Sequence, residues 1–208
     1  MPGTSMHWCG VAGLRMPDIV AVILAGGEGR RIGGHKPMQR VNGLRLVDIA
    51  LARVRTWGIE VAVSVRYTGQ VPEVDVPEIL DAPFEGPIAG LVAALHWAGS
   101  ARAVSLLVVP CDTPALPPDL LARLKAVSDA TCAPCFARSR GGDHPACAVW
   151  PLSATTEVEA FATAGGRSLK GALERCGAHA VEWRDEGNDP FFNINTETDL
   201  QNFQMKRV

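Results

Sequence analysis

No apolar run in this 208-residue chain approaches the ~18 residues that a membrane-spanning helix needs, and runs such as Ser105 to Val109 have the length of a strand. A surplus of either charge is also missing. Twenty basic and twenty-two acidic side chains leave a formal net charge of −2, which supplies no broad positive field for a nucleic-acid backbone or an anionic membrane. Neither partner is expected, so any phosphate must be met locally. Six scattered cysteines are too few for a disulfide-stapled secreted scaffold, and reduced thiols in a cytoplasmic setting follow. Cys132-Ala-Pro-Cys135 has redox or zinc-ligand spacing, but no second Cys pair or His pair completes four ligands, so burial is the preferred reading. Heptads, triplets, internal repeats and linkers are absent, which excludes coiled coils, collagen and a divided chain. With 47% hydrophobic and 20% charged residues, the chain has enough material for one sizeable core. Residues 1–16 lack periodicity and are expected to form a disordered extension, with Met6 and Met16 as alternative starts, ahead of one domain over 17–208.

From Pro17 onward, apolar runs of strand length alternate with helical stretches. Ile19 to Ala25 reads as a strand buried on both faces, and Val61 to Val65, Glu78 to Leu80 and Ser105 to Val109 as further strands. Helices are expected at Leu46 to Trp57, at Pro87 to Ala98 after Gly86-Pro87, and at Pro117 to Val127. Thr131 to Ala137 and Ala146 to Trp150 suit a hairpin about the polar Ser139 to His144 segment. Helices at Thr155 to Ala162 and Ser168 to Cys176, a strand at Ala180 to Trp183, and a helix of about 10 residues opened by a capping box at Thr196 to Asp199 complete the chain. Strand and helix in alternation imply an α/β sandwich with a mainly parallel sheet.

Three constellations carry chemistry. Leu24 to Lys36 follows the first strand with five glycines in nine positions, a backbone able to present N–H groups to phosphate oxygens, with Arg31 as a forked donor and Lys36 as a point charge. It fits neither the dinucleotide-binding spacing nor a loop ending in Gly-Lys-Ser/Thr. Asp112 stands directly after an apolar strand, where a carboxylate faces the same crevice and suits Mg²⁺ shared with substrate phosphates. Asp81 to Gly90 places a proline at a helix start between glycines, where exposed backbone groups and small residues would let a planar base approach. Cys111 lacks an adjacent His and is expected to pack rather than react.

These motifs resemble the molybdenum cofactor guanylyltransferase family. The resemblance rests on Leu24-Ala-Gly-Gly-x-x-x-Arg-x-Gly-Gly-x-Lys36, Gly86-Pro-Ile-Ala-Gly90, Pro110-Cys-Asp112, His144-Pro145 and Phe192-Asn-Ile-Asn-Thr196 with Asp199, in that order, and spans Ile19 to about Phe203. It implies a Rossmann-like three-layer sandwich of the nucleotide-diphospho-sugar transferase type. It also implies Mg²⁺-dependent transfer of GMP from GTP to molybdopterin or Mo-molybdopterin, with other cofactor-biosynthesis proteins and recipient molybdoenzymes as further partners. Carried over by position, GTP contacts fall on Leu24, Ala25, Gly26, Lys36, Asp81 and Asp112, with Asp112 also the Mg²⁺ ligand. Gly27, Gly29, Gly33 and Arg31 complete the phosphate loop, Gly90 lines the base site, and Asn193 and Asn195 match positions of the pterin side and catalysis. His144 is a weaker candidate.

Two positions depart from the family. His35 stands where an acidic residue usually precedes the loop lysine, and Val65 is expected where a nucleoside-contacting Asn belongs. The second departure removes a hydrogen bond worth about 0.5–1.5 kcal/mol unless Ser64 or Arg66 replaces it. A cytidylyltransferase acting on the same pterin, a sugar-phosphate nucleotidyltransferase and a non-catalytic pterin carrier are the alternatives. The doubled Gly26-Gly27 favours guanine over cytosine by resemblance, and intact Lys36 and Asp112 argue against a carrier.

Overall fold

The structure, a computed structural model, describes residues 17–27, 29, 33–184 and 189–205. Arg31 and the residues of the 1–16 extension lie outside that set. The first strand, β1 (Ile19–Leu24), is apolar throughout because both faces of its sheet are covered. Ala21 and Ile23 point into one core, shared with Val47, Leu51 and Val54 of helix α1 (Leu46–Arg55) and Leu120 and Leu124 of α3 (Leu120–Thr131). Val20 and Val22 point into the other, shared with α2 (Ile88–Ser100), α4 (Thr155–Thr163) and α5 (Leu169–Arg175). Each fully buried Val, Leu or Ile contributes about 1.5–3 kcal/mol, so the period-2 division of one strand between two cores fixes its register.

Seven strands form the sheet in the order β5-β4-β1-β6-β8-β7-β9. These are β4 (Val61–Val65), β5 (Glu78–Leu80), β6 (Ser105–Pro110), β7 (Cys135–Ser139), β8 (Gly142–Pro151) and β9 (His179–Glu182) around β1. All neighbours pair in parallel except β8, which is antiparallel to both β6 and β7. The three-layer, mainly parallel α/β expectation holds, and β7–β8 is the expected hairpin. Its turn is tighter than Ser139 to His144, however, because Ser139 pairs with Gly142 and β8 runs on through Pro145. The chain leaves β1 towards β4 on one side and reaches β6 on the other, so the strand order reverses at β1 and β6 and opens a crevice at their carboxyl ends.

The short hairpin β2 (Arg40–Val41) and β3 (Leu44–Arg45) stands apart from the sheet. Val41 and Leu46 pack with Ile194 and Phe203 into a third small core, which ties the end of the glycine-rich segment to the C-terminal helix α6 (Glu197–Met205). Among the described residues no helix is long and apolar enough to cross a membrane, and Cys111, Cys132, Cys135, Cys147 and Cys176 are free thiols.

Candidate active site

A cleft of about 430 Å³ runs along the carboxyl edge of the sheet, and Leu24, Gly26, Gly27, Lys36, Asp81, Gly90 and Asp112 all line it. Residues as far apart in sequence as Leu24 and Asp112 thus meet in one place. Ala25 lies beneath the cleft, fully buried, its N–H donating to the Ser64 carbonyl at 2.9 Å and its carbonyl accepting from Gln70 Nε2 at 3.2 Å. Its contribution is to hold the loop's first residue in the sheet. Gly29 and Gly33 do not line the cleft; both have positive φ, 62° and 80°, and Gly34 N–H donates to the Gly29 carbonyl at 2.9 Å, so they shape the loop. A side chain would obstruct Gly26, where an added Cβ would lie 2.7 Å from Asp81 Oδ2, but not Gly27, where the nearest atom is Lys36 Cδ at 3.9 Å.

Lys36 opens a 3-10 turn, Lys36–Met38, that places its ammonium across the cleft mouth. Lys36 Nζ forms an ion pair with Asp112 and donates to Asn195 Oδ1 at 2.6 Å. The Lys36 and Asp112 side chains are 14% and 15% exposed, sheltered enough for charge to act strongly yet open to an incoming anion. The C-terminal segment is tied here by one backbone and one side-chain bond: Ile194 N–H donates to the Asp112 carbonyl at 2.9 Å, and Thr113 Oγ1 donates to Asn193 Oδ1. Asn193 therefore secures the segment, while Asn195 touches Lys36.

The capping box at α6 sets the position of Asn195. Asp199 Oδ2 accepts from the N–H groups of Asn195 and Thr196 at 3.0 and 2.8 Å, and Thr196 Oγ1 accepts from the Asp199 N–H at 3.1 Å. Burial raises the Asp199 pKa, but these hydrogen bonds and the Lys36 charge outweigh it and hold the carboxyl below its ordinary value. Its stabilising contribution is therefore complete above the ordinary carboxylate pKa and lost as the pH falls through the depressed one. Asp199→Ala should lower stability by about 0.5–2 kcal/mol at neutral pH. The Tm difference from the parent should shrink in acid, as thermal melts across pH would register.

At the other end of the cleft, strand alternation corrects the assignment of Val65. Val65 is fully buried in the core with Val61 and Val63, so its side chain cannot reach a nucleoside. Ser64 and Arg66, of opposite parity, line the cleft instead. Ser64 Oγ donates to Asp81 Oδ1 at 2.5 Å, and Asp81 N–H donates to the Val65 carbonyl at 2.8 Å. Gly90, on α2, makes room for this pair, since an added Cβ would lie 2.9 Å from Ser64 Oγ. Counting alternation forward from Val61 places Ser64 and Arg66 on the face opposite Val65.

Pro145, Ala146, Ser168, Leu169 and Lys170 form the far wall, and sequence reasoning missed Lys170 for want of a motif around it. His144 lies outside the cleft lining: its ring stacks on Phe191 with centroids 4.6 Å apart, and Nε2 shares a hydrogen bond with Ser139 Oγ at 2.7 Å. Cys111 lines the cleft, but burial and then the Asp112 charge push its thiol well above the ordinary range, so it is no nucleophile. Cys135 is buried and Cys132 exposed at the end of α3. No group of three or more His, Cys, Asp or Glu suited to a metal ion occurs among the described residues.

Residues 21–180 match the model of the MobA-like NTP transferase domain. The chain is 36% identical to the molybdenum cofactor guanylyltransferase of Cereibacter sphaeroides over 188 residues, covering 88% of this chain and 93% of that protein. Its identity to the enzyme of the same name from Acidiphilium cryptum is 38% over 187 residues, 86% of this chain and 91% of the other. Among solved structures, molybdopterin-guanine dinucleotide biosynthesis protein A from Archaeoglobus fulgidus superposes with a TM-score of 0.74 at 28% identity, covering 91% of this chain and 98% of that one. The architecture is that of the nucleotide-diphospho-sugar transferase type.

Proposed function

Since the chain belongs to the MobA-like NTP transferase family, we propose that it transfers GMP from GTP to the terminal phosphate of molybdopterin or Mo-molybdopterin, forming the guanine dinucleotide and releasing pyrophosphate. The observation that carries this reading is the convergence of Lys36, Asp112 and Asn195 at the mouth of a glycine-lined cleft. An attacking phosphate oxygen is already ionised near neutral pH, so the site needs no general base, and alignment and charge stabilisation suffice. Lys36 meets negative charge developing on the departing pyrophosphate. The loop amides around Gly26 and Gly27 orient the phosphates. Asn195 steers the Lys36 ammonium, and Asn193 holds Asn195's segment against Thr113. Arg31, outside the described residues, is proposed as a second phosphate donor.

Asp112 suits Mg²⁺: its carboxylate is a hard oxygen donor already faced by a cation, and a magnesium site of one or two carboxylates leaves the remaining positions to phosphate and water oxygens. Bound there, Mg²⁺ supplies neutralisation of phosphate charge. The proposal treats 17–208 as one nucleotidyltransferase domain working in the cytoplasm, with cofactor-biosynthesis proteins and recipient molybdoenzymes as partners. Pyrophosphate release with Mg²⁺ and molybdopterin, compared for GTP, CTP and ATP, tests the reading. GTP-selective release is expected. Preference for CTP would make the chain a cytidylyltransferase, and no release despite pterin binding would make it a carrier.

A further inference from the structure

The cleft has a polarity set by strand order. Arg66 and Asp81 follow β4 and β5, the glycine loop follows β1, and Asp112 follows β6, so the Arg66–Asp81 end lies up to three strand spacings, about 14 Å, from the metal-binding end. The two side chains are neighbours across Gly26, whose added Cβ would meet Asp81 Oδ2 at 2.7 Å and Arg66 Cγ at 3.3 Å. Both also line an adjoining cavity that holds Glu85 and Gly86. A polyphosphate is disfavoured at this end by the Asp81 carboxylate, and Glu85 adds a second, paired with Arg167 at 2.8 Å. A neutral ring that both donates and accepts hydrogen bonds is favoured.

Resting on the guanylyltransferase reading, we propose that Arg66 is a specificity-determining residue that recognises guanine through its O6 and N7 acceptors, beside Asp81 on the N1–H and N2–H edge. A carboxylate only accepts hydrogen bonds and a guanidinium only donates them, in a planar fork that fits the O6 and N7 pair. Ser64 holds one Asp81 oxygen and leaves Oδ2 on the Gly26 side. Guanine presents donors beside acceptors in the complementary order. Adenine turns its N6 amino group towards Arg66 and an unprotonated N1 towards Asp81, and cytosine has no N7. Arg66 would thus replace, by a different contact, the nucleoside hydrogen bond attributed to the family's Asn.

Calorimetric binding of GTP and 7-deaza-GTP, which lacks the N7 acceptor, tests this with the full chain and Mg²⁺. The wild type should bind GTP about ten-fold more tightly than 7-deaza-GTP, the scale of one base-edge contact. Arg66→Ala and Arg66→Gln should bind both nucleotides alike, with GTP weakened more than about ten-fold because the O6 contact is lost with the N7 contact. Equal wild-type affinities overturn the inference whether or not any variant folds. So does equal weakening of both nucleotides in the variants with the wild-type ratio retained, the signature of a phosphate contact. Either result leaves GTP-dependent pyrophosphate release standing, whereas wild-type preference for CTP overturns the guanylyltransferase reading and the guanine assignment together.

Discussion

Asp112→Asn is expected to reduce pyrophosphate release by roughly 10²–10³-fold, the loss typical of removing a preorganised charge-stabilising group, while the protein melts close to the parent temperature. The two halves of that result have separate structural causes. Anchoring of the C-terminal segment runs through the Asp112 carbonyl, which accepts the Ile194 N–H at 2.9 Å and is untouched by a side-chain exchange. The residue also sits at the end of β6, whose apolar residues are fully buried on both faces, so asparagine of nearly the same size disturbs no packing. What disappears is the carboxylate charge, and with it the proposed Mg²⁺ ligand and the ionic partner of Lys36. Initial-rate measurements beside a thermal melt distinguish these effects. Turnover within a few-fold of the parent would remove Asp112 from the chemistry, and a collapsed melt would show that the Lys36–Asp112 pair holds the fold instead.

The chemistry of this cleft was readable from sequence wherever a buried strand ran directly into polar residues. β1 into Gly26-Gly27 and β6 into Pro110-Cys111-Asp112 each mark a strand's carboxyl end, and the structure puts both on one edge. The capping box at Thr196 and Asp199 was legible because its two residue types sit three apart and bond reciprocally. Elements lacking a long pattern were not legible. The β2–β3 hairpin has two residues per strand, too few for alternation, although Asn42-Gly43 with φ 49° and 82° is the favoured tight-turn pair and could have revealed it. α3 begins at Leu120 rather than Pro117 because Pro117-Pro118 belongs to the turn before it, where the Leu120 N–H donates to the Pro117 carbonyl at 3.2 Å. The nucleoside position expected at Val65 fails for another reason: Val61, Val63 and Val65 share one parity of β4 and face the core. A one-residue slip in a strand exchanges the core face for the cleft face, so Val65 and Arg66 cannot substitute for one another.

Lys36→Met should be comparably severe, lowering kcat roughly 10²–10³-fold through loss of a charge that meets the transition state, and it should also weaken GTP binding. The second effect follows from what the lysine now does. Its ammonium bridges Asp112 and Asn195, so methionine leaves the Asp112 carboxylate without its cation at the mouth through which a triphosphate enters. Repulsion between carboxylate and phosphate then adds to the lost attraction. If Lys36 and Asp112 act as a unit, Lys36→Met with Asp112→Asn should be little slower than either single variant, since groups sharing one step are strongly non-additive. Calorimetry without Mg²⁺ would show GTP binding more tightly to the double variant than to Lys36→Met, because the stranded charge is gone. Rate losses that multiply instead would mean that the two residues serve separate steps. In that case Lys36 would stabilise the departing pyrophosphate independently of the Asp112 carboxylate, and their ion pair would be a resting contact that Lys36 leaves when it turns to the phosphates.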